Sequence, residues 1–167
     1  MPWSVPLTLH PIGVVHTPWK QPTGTPIQGA FRPDVEGEVV LTEELAPALH
    51  DLDGFSHAIV LYAFHRSEGY RTKVVPYLDD VERGLFATRA PRRPNPIGLT
   101  VVRILAVEGH RLRVAGVDML DGTPVLDIKP YVPAMDRPDE VRIGWLERAL
   151  AFGPCTTADD RFHEEDR

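Results

Sequence analysis

The sequence is short of cysteine, because Cys155 is the single one among 167 residues. One cysteine excludes an intramolecular disulfide and a cysteine-based zinc site, and no two of the seven histidines have His-x-His or His-x-x-x-His spacing. No apolar run approaches the ~18 residues of a membrane span, and the first residues lack a basic segment followed by an apolar one. We therefore expect a cytoplasmic protein with no membrane segment and no metal centre.

Two common nucleotide-binding motifs are missing as well. No two glycines lie two positions apart, which excludes the Gly-x-Gly-x-x-Gly fingerprint of dinucleotide-binding domains. The sequence also contains no Gly-Lys-Ser or Gly-Lys-Thr, which excludes the common phosphate-binding loop.

The length and the proline content favour one domain built mostly from strands. The 17 prolines against 13 glycines favour strands and shaped loops over a helical bundle. Hydrophobic patterning predicts strands at 7–15, 37–41, 57–64, 84–88, 99–108, 112–117 and 125–131, and helices that start at Thr42 and span 138–152. The nearly continuous apolar run at 57–64 predicts a strand buried on both faces. We expect a closed sheet over residues 1–155, followed by a fraying acidic tail at 156–167.

Charge is distributed unevenly along the chain. The net charge of −6 argues against a dispersed nucleic-acid-binding surface. Residues 65–113, however, carry ten Lys and Arg against five Asp and Glu, whereas the rest of the chain carries eight against nineteen. An acidic protein with a basic middle can concentrate an anionic ligand there.

The basic middle contains a proline-rich loop at 84–98, Gly-Leu-Phe-Ala-Thr-Arg-Ala-Pro-Arg-Arg-Pro-Asn-Pro-Ile-Gly. Its prolines restrict the backbone, so the loop holds three arginines and an amide in a stiff segment: Arg89, Arg92, Arg93 and Asn95. Arginines held in this way suit a carboxylate, a phosphate or an aromatic ring. A proline-rich connector with solvated arginines is the alternative interpretation.

Two further groups of polar residues are associated with predicted strands. His65 and Arg66 come at the end of an apolar strand, where side chains are delivered into a cleft. Asp127, Lys129 and Tyr131 alternate with other residues, which puts them on one face of a strand. That face is either ordinary solvated sheet or the wall of a site.

Several of these segments closely resemble the TsaA-like (TrmO) family. The motifs occur in the family's order: Ile-Gly-Val-Val-His-Thr-Pro at 12–18, Leu-Asp-Gly-Phe-Ser-His at 52–57, Phe-Ala-Thr-Arg-Ala-Pro-Arg-Arg-Pro-Asn-Pro-Ile-Gly-Leu at 86–99, and Asp-Gly-Thr-Pro-Val-Leu-Asp-Ile-Lys-Pro-Tyr at 121–131. The resemblance covers about residues 7–136, and the two longer motifs are very specific.

The resemblance implies an S-adenosylmethionine-dependent methyltransferase, built as a single-sheet β-barrel with short helices and acting as a homodimer. The family's substrate is tRNA with N6-threonylcarbamoyladenosine beside the anticodon, which is methylated on the adenine nitrogen. Carried over by motif, the cofactor contacts would be Pro26, Ile27, Gln28, His65, Arg66, Arg89, Leu99, Asp121, Gly122, Thr123 and Pro124. Ile27 stands where the family usually has an arginine.

The remaining roles are hypotheses about methyl transfer. Three cationic side chains would bind phosphates or the threonyl carboxylate of the modified base: Arg92, Arg93 and Lys129. Asp127 or Tyr131 would accept the proton that nitrogen loses, and the sequence does not choose between them. Asn95-Pro96 is similar to the start of the Asn-Pro-Pro-Tyr signature of many amino-methyltransferases, which makes Asn95 a further catalytic candidate. The alternative function is a non-catalytic sensor or interaction module that binds S-adenosylmethionine or another nucleotide.

Overall fold

The computed structural model describes residues 6–151 and 157–162, and its secondary structure is mostly strand. The strands are, in chain order, β1 (Gly13–His16), β2 (Glu36–Leu41), β3 (His57–Ala63), β4 (Lys73–Val74), β5 (Arg83–Gly84), β6 (Ile97–Glu108), β7 (Arg111–Ala115) and β8 (Thr123–Pro130). The α-helices are α1 (Pro133–Asp136) and α2 (Leu146–Ala151). The 3-10 segments are Gly29–Phe31, Glu43–Leu49, Leu52–Gly54, Leu85–Ala87 and Asp160–Phe162.

Six strands form one sheet that closes on itself in the order β1-β2-β7-β6-β3-β8. Every neighbouring pair in it is antiparallel. Closure pairs the backbone groups that an open sheet leaves at its edges. The predicted single-sheet β-barrel with short helices is confirmed, and β4 and β5 form a separate two-stranded sheet.

Side chains of the barrel strands alternate between the interior and the outer surface. Along β3, Ala58, Val60 and Tyr62 are buried, whereas the residues between them are partly exposed. The prediction that this strand is buried on both faces is wrong, because a small barrel packs its interior with side chains and leaves the outer face uncovered. Each other barrel strand also contributes buried side chains, among them Val15, Val39, Val102, Leu112 and Val125.

Two predicted strands differ most from the observed ones. The strand predicted at 7–15 begins only at Gly13, after Pro11, which has no N–H to donate to a neighbouring strand. The strand predicted at 84–88 is mostly the 3-10 turn Leu85–Ala87. The amide and the hydroxyl of Thr88 both donate to the carbonyl of Leu85, at 3.1 and 2.8 Å, so these groups close a turn instead of pairing with another strand.

The predicted helices are shorter than expected. The segment after Thr42 is 3-10 rather than α-helical, because Pro47 lies inside it and removes a backbone donor. The helix predicted at 138–152 is reduced to α2, since Gly144 has a φ of +59°, a left-handed conformation that a helix cannot include. Phe152, the predicted last residue, lies outside the described residues. No helix in the described part of the chain is long and apolar enough to cross a membrane.

Residues 157–162 pack against the rest of the domain, so the predicted fraying is wrong for this segment. Two backbone hydrogen bonds, of 2.8 and 2.9 Å, join Ala158 to the loop that follows β1. Phe162 is buried and packs edge-on against the ring of Tyr77, with centroids 4.9 Å apart. The burial of this aromatic pair offsets the entropy lost when the segment becomes ordered.

Gly98 lies opposite Tyr62, and we expect Gly98→Ala to destabilise the barrel by about 2 kcal/mol. A Cβ at position 98 would lie 2.3 Å from two ring carbons of Tyr62 and 2.8 Å from its hydroxyl oxygen. The ring is held in place, because that hydroxyl lies 3.2 Å from Thr100 Oγ1 in the buried interior. Urea unfolding of the variant and the wild-type protein measures the loss of unfolding free energy.

Gly54→Ala is the matched control, because a Cβ at position 54 would have no atom within 4 Å. We expect the control to unfold at nearly the wild-type urea concentration. An equally small change for Gly98→Ala would contradict the clash with Tyr62.

Candidate functional site

A cavity opens at one end of the barrel, where β3 ends and β8 begins. We call it the first cavity. Seven of the predicted cofactor contacts lie in its wall: Pro26, Ile27, Gln28, His65, Arg66, Arg89 and Thr123. The barrel thus brings together residues from the loop after β1, the end of β3, the proline-rich loop and the start of β8.

Arg89 connects the proline-rich loop to the loop after β1. Its Nη1 donates a hydrogen bond to Oε1 of Gln28. Nε2 of Gln28 donates in turn to the carbonyl of Ile27 at 2.8 Å, which fixes the orientation of the amide. The guanidinium therefore stands in the cavity wall as a positioned cation, which suits a carboxylate ligand.

Asp118 belongs to a polar network in the same wall that the sequence analysis missed. Its Oδ1 accepts a hydrogen bond from Thr100 Oγ1 at 2.6 Å, and its Oδ2 accepts one from the N–H of Gly29 at 2.7 Å. The hydroxyl of Tyr62, which lies 3.2 Å from the same Thr100 oxygen, extends the network into the core. Desolvation raises the pKa of Asp118 to about 6, although the hydrogen bonds and the charge of Arg89 lower it.

The sequence does hold a signal for Asp118. It is the charged residue within an otherwise apolar run at 114–120. Charged side chains in such runs are seldom buried without a partner, so one that faces a cavity is a candidate functional residue.

His65 and Arg66 follow β3 and line the cavity. Nδ1 of His65 lies 3.3 Å from the Thr123 hydroxyl oxygen. Desolvation and the charge of Arg66 lower the pKa of His65, so its ring is neutral at physiological pH. Nη1 of Arg66 donates to the carbonyl of Lys20 at 3.0 Å, which ties the end of β3 to the loop after β1.

The turn at 121–124 reaches the cavity through Thr123. Asp121 instead forms an ion pair with Lys20 at 2.7 Å, which is the main reason that its pKa is lowered to about 2. Gly122 has a φ of +77°, a conformation that lets the chain turn into β8. Asp121, Gly122 and Pro124 do not line the first cavity. Their cofactor contacts stay predictions.

Four predicted site residues lie on or beside the outer face of the barrel: Leu99, Asp127, Lys129 and Tyr131. Leu99 and Asp127 both pair with Leu61, whose side chain also points outward. Lys129 Nζ forms an ion pair with Asp127 Oδ2 at 2.6 Å. Tyr131 packs edge-on against His57, with ring centroids 6.5 Å apart. None of the four lines the first cavity, and their functional roles stay predictions.

The other polar residues of the proline-rich loop have different surroundings. Arg93 Nη1 donates to two carbonyls of its own loop, at 3.1 and 3.3 Å. Arg92 lines a neighbouring cleft together with Phe162. Asn95 is exposed, and its carbonyl accepts a hydrogen bond from the amide of Ile97. These three roles also stay predictions.

The fold and the cavity define a class of protein: a closed antiparallel β-barrel with a cavity at one end that suits a small ligand. Two arginines, a neutral histidine and a half-buried carboxylate beside apolar side chains suit a ligand with both charges and an apolar part. In the described ranges, no three His, Cys, Asp or Glu side chains are close enough to hold a metal ion.

The sequence profile of the tRNA-methyltransferase O N-terminal domain matches residues 14–137, and the chain belongs to this family. The resemblance inferred from the motifs is confirmed.

Relatives extend the match to most of the chain. A probable S-adenosyl-L-methionine-binding protein of Pyrococcus abyssi is 51% identical over 152 residues, which are 91% of this chain and 83% of that protein. Human tRNA (adenine(37)-N6)-methyltransferase is 35% identical over 142 residues, which are 81% of this chain and 32% of the human protein. The crystal structure of TrmO from Pseudomonas aeruginosa matches with a TM-score of 0.72 at 36% identity, covering 84% of this chain and 63% of that one. The chain therefore spans about a third of the human protein and less than two thirds of the bacterial one.

Proposed function

We propose that this protein transfers a methyl group from S-adenosylmethionine to N6 of N6-threonylcarbamoyladenosine beside the anticodon of tRNA. The observation that carries the proposal is the first cavity, where Arg89, His65 and Asp118 line one site in a barrel of the TrmO family. Relatives named as S-adenosyl-L-methionine-binding proteins and as tRNA methyltransferases support both halves of the proposal. A tRNA substrate also favours a location in the cytoplasm.

The cavity wall fits the parts of S-adenosylmethionine. Arg89 can bind its carboxylate. Ile27 and Met119 offer apolar surface to the adenine. The cofactor supplies a methyl group on a sulfonium, so the main task of the protein is to orient the accepting nitrogen.

Methylation at N6 forms a nitrogen–carbon bond, breaks a carbon–sulfur bond and releases the proton of the N–H group. Three side chains are candidate acceptors of that proton: Asp118, Asp127 and Tyr131. We favour Asp118, because it lines the cavity and its pKa of about 6 suits a proton acceptor near neutral pH. Arg92, Arg93 and Lys129 remain proposed partners of phosphates or of the threonyl carboxylate.

The test is transfer of labelled methyl from S-adenosylmethionine to tRNA with and without the threonylcarbamoyl group. We expect incorporation into the modified tRNA alone. Cofactor binding without incorporation would favour the second candidate function, a non-catalytic binding module. The observation in its favour is that the relatives from Pyrococcus abyssi and Archaeoglobus fulgidus are named as binding proteins. The absence of both binding and transfer would contradict both functions.

We also propose that the protein acts as a homodimer through the outer face of β6. Ile97, Leu99 and Val101 alternate on this face and are 42%, 45% and 37% exposed, which forms an apolar stripe. Leu99 points away from the first cavity of its own protomer, so its predicted cofactor contact requires the cavity of a partner protomer.

Leu99→Arg is expected to shift the protein from dimer to monomer, because it places an unpaired charge in the apolar stripe. Light scattering after size-exclusion chromatography measures the mass, which should fall to the 18.7 kDa of one chain. Val81→Arg is the control, since Val81 is 49% exposed and lies on the segment before β5, outside the stripe. A dimeric Leu99→Arg variant would contradict this interface.

A further inference from the structure

A second cavity adjoins the first, between the turn Leu85–Ala87 and helix α2. Four residues line both cavities: Ile27, Gln28, Tyr77 and Arg89. Because of this shared wall, a ligand in the second cavity lies next to a ligand in the first.

Aromatic side chains dominate the second cavity, which we call the aromatic cavity. Five of the chain's thirteen Phe, Tyr and Trp residues line it: Phe31, Tyr77, Phe86, Trp145 and Phe162. Phe86 is 81% exposed, which leaves a large apolar ring in contact with water. Trp145 is held by the hydrogen bond from its Nε1 to the Ala87 carbonyl at 2.8 Å. The cavity therefore offers both a fixed ring and a largely exposed one.

Arginines stand over three of these rings. The guanidinium carbons of Arg83, Arg93 and Arg161 lie 5.6, 5.6 and 5.5 Å from the ring centroids of Trp145, Phe86 and Tyr77. Carboxylates 2.7 Å away compensate the charges of Arg83 and Arg161. Within the described residues, Arg89 and Arg93 have no carboxylate at ion-pair distance, and they donate hydrogen bonds to the Gln28 amide oxygen and to loop carbonyls. This side of the aromatic cavity therefore attracts an anion.

We propose that the aromatic cavity binds an unstacked nucleobase of single-stranded RNA, with its ring against Phe86 and a backbone phosphate near Arg93. Single-stranded RNA is bound by aromatic faces and neighbouring arginines, because each base offers a ring face and each phosphate a negative charge. An apolar peptide or acyl chain would use the rings but would leave the charge of Arg93 unmatched. The inference rests on the proposed function and places the target base beside the cofactor cavity, as methyl transfer requires.

The test compares Phe86→Ala with the wild-type protein in binding an anticodon stem–loop RNA that carries N6-threonylcarbamoyladenosine. Fluorescence anisotropy of the labelled RNA at one fixed salt concentration measures the affinity. We expect Phe86→Ala to bind roughly tenfold or more weakly, since one base–ring stack is lost. The affinity for S-adenosylmethionine, measured by calorimetry, should stay at the wild-type value.

Two further variants make the test specific to stacking. Phe86→Trp keeps an aromatic face and should restore the affinity for RNA. Phe55→Ala removes another exposed aromatic ring, 40% exposed at the opposite end of β3, and should bind like the wild type. Wild-type affinity of Phe86→Ala, or equal weakening in Phe86→Trp, would overturn the stacking site.

The outcome also separates this inference from the proposed function. If the wild-type protein methylates modified tRNA and Phe86→Ala binds RNA equally well, the aromatic cavity is not the base site although the function holds. If the wild-type protein neither binds the RNA nor methylates it, the proposed function fails and the base site fails with it.

Discussion

Arg89→Ala is expected to weaken the binding of S-adenosylmethionine by roughly ten- to a hundredfold. The guanidinium is positioned in the first cavity by Gln28, so it can meet the cofactor's carboxylate with little loss of side-chain freedom. A hydrogen bond between charged groups contributes about 1.5–3 kcal/mol, which converts to this range of affinity. Isothermal titration calorimetry measures the effect.

Two variants control for charge and for general damage. Arg89→Lys keeps the charge but loses the planar fork, so we expect an intermediate affinity. Arg103→Ala removes an exposed arginine of β6 that does not line the cavity, and it should bind like the wild type. An Arg89→Ala variant with wild-type affinity would contradict the assignment of Arg89.

Asp118→Asn is expected to slow methyl transfer by about a hundredfold or more and, at neutral pH, to stabilise the fold by up to about 3 kcal/mol. The rate falls because an amide cannot accept the proton from nitrogen. The free energy of unfolding rises because the folded protein partly desolvates the ionised carboxylate, and the same desolvation raises the pKa of Asp118. The amide keeps the local contacts, since its oxygen can accept from Gly29 and its nitrogen can donate to Thr100.

The stabilisation should depend on pH in a defined direction. Asp118 has a pKa of about 6 in the folded protein and an ordinary value of 3.8. Below 3.8 the carboxyl is protonated in both states, so wild type and Asp118→Asn should differ little. As pH rises from 3.8 through about 6, the unfolded chain ionises first and the wild type loses stability, and the loss is complete above that range.

Urea unfolding at several pH values measures this difference, with Asp139→Asn as an exposed control. Methyl transfer by the wild type should also rise as pH increases through about 6, when Asp118 becomes an ionised acceptor. Equal stability of Asp118→Asn and wild type at neutral pH would contradict a cost of ionising Asp118 in the folded protein. Wild-type transfer rates in Asp118→Asn would exclude Asp118 as the proton acceptor.

The strands of the barrel could be predicted because local alternation follows from the geometry of each strand. The prediction at 37–41 differs from β2 by one residue, and the hairpin of β6 and β7 lies where the apolar runs around Gly109 place it. The turn at 85–87 could not be predicted in this way, because an apolar triplet is compatible with a strand. The hydrogen bond from the Thr88 hydroxyl to the Leu85 carbonyl closes a turn instead. The predicted length of helix α2 was too great for a similar reason, since periodicity does not reveal the left-handed conformation of Gly144.

By itself, the sequence determined the mostly β character of the chain and, through the motifs at 86–99 and 121–131, its family. The motifs also indicated most polar residues of the first cavity, but only the tertiary structure decided that Asp118 joins them. Gln28 meets Arg89 across 61 positions and Gly29 meets Asp118 across 89, distances along the chain at which neither periodicity nor spacing carries information. The loops between the barrel strands make these contacts, and Leu99 and Asp127 face outward because adjacent residues of a strand face opposite sides of the sheet.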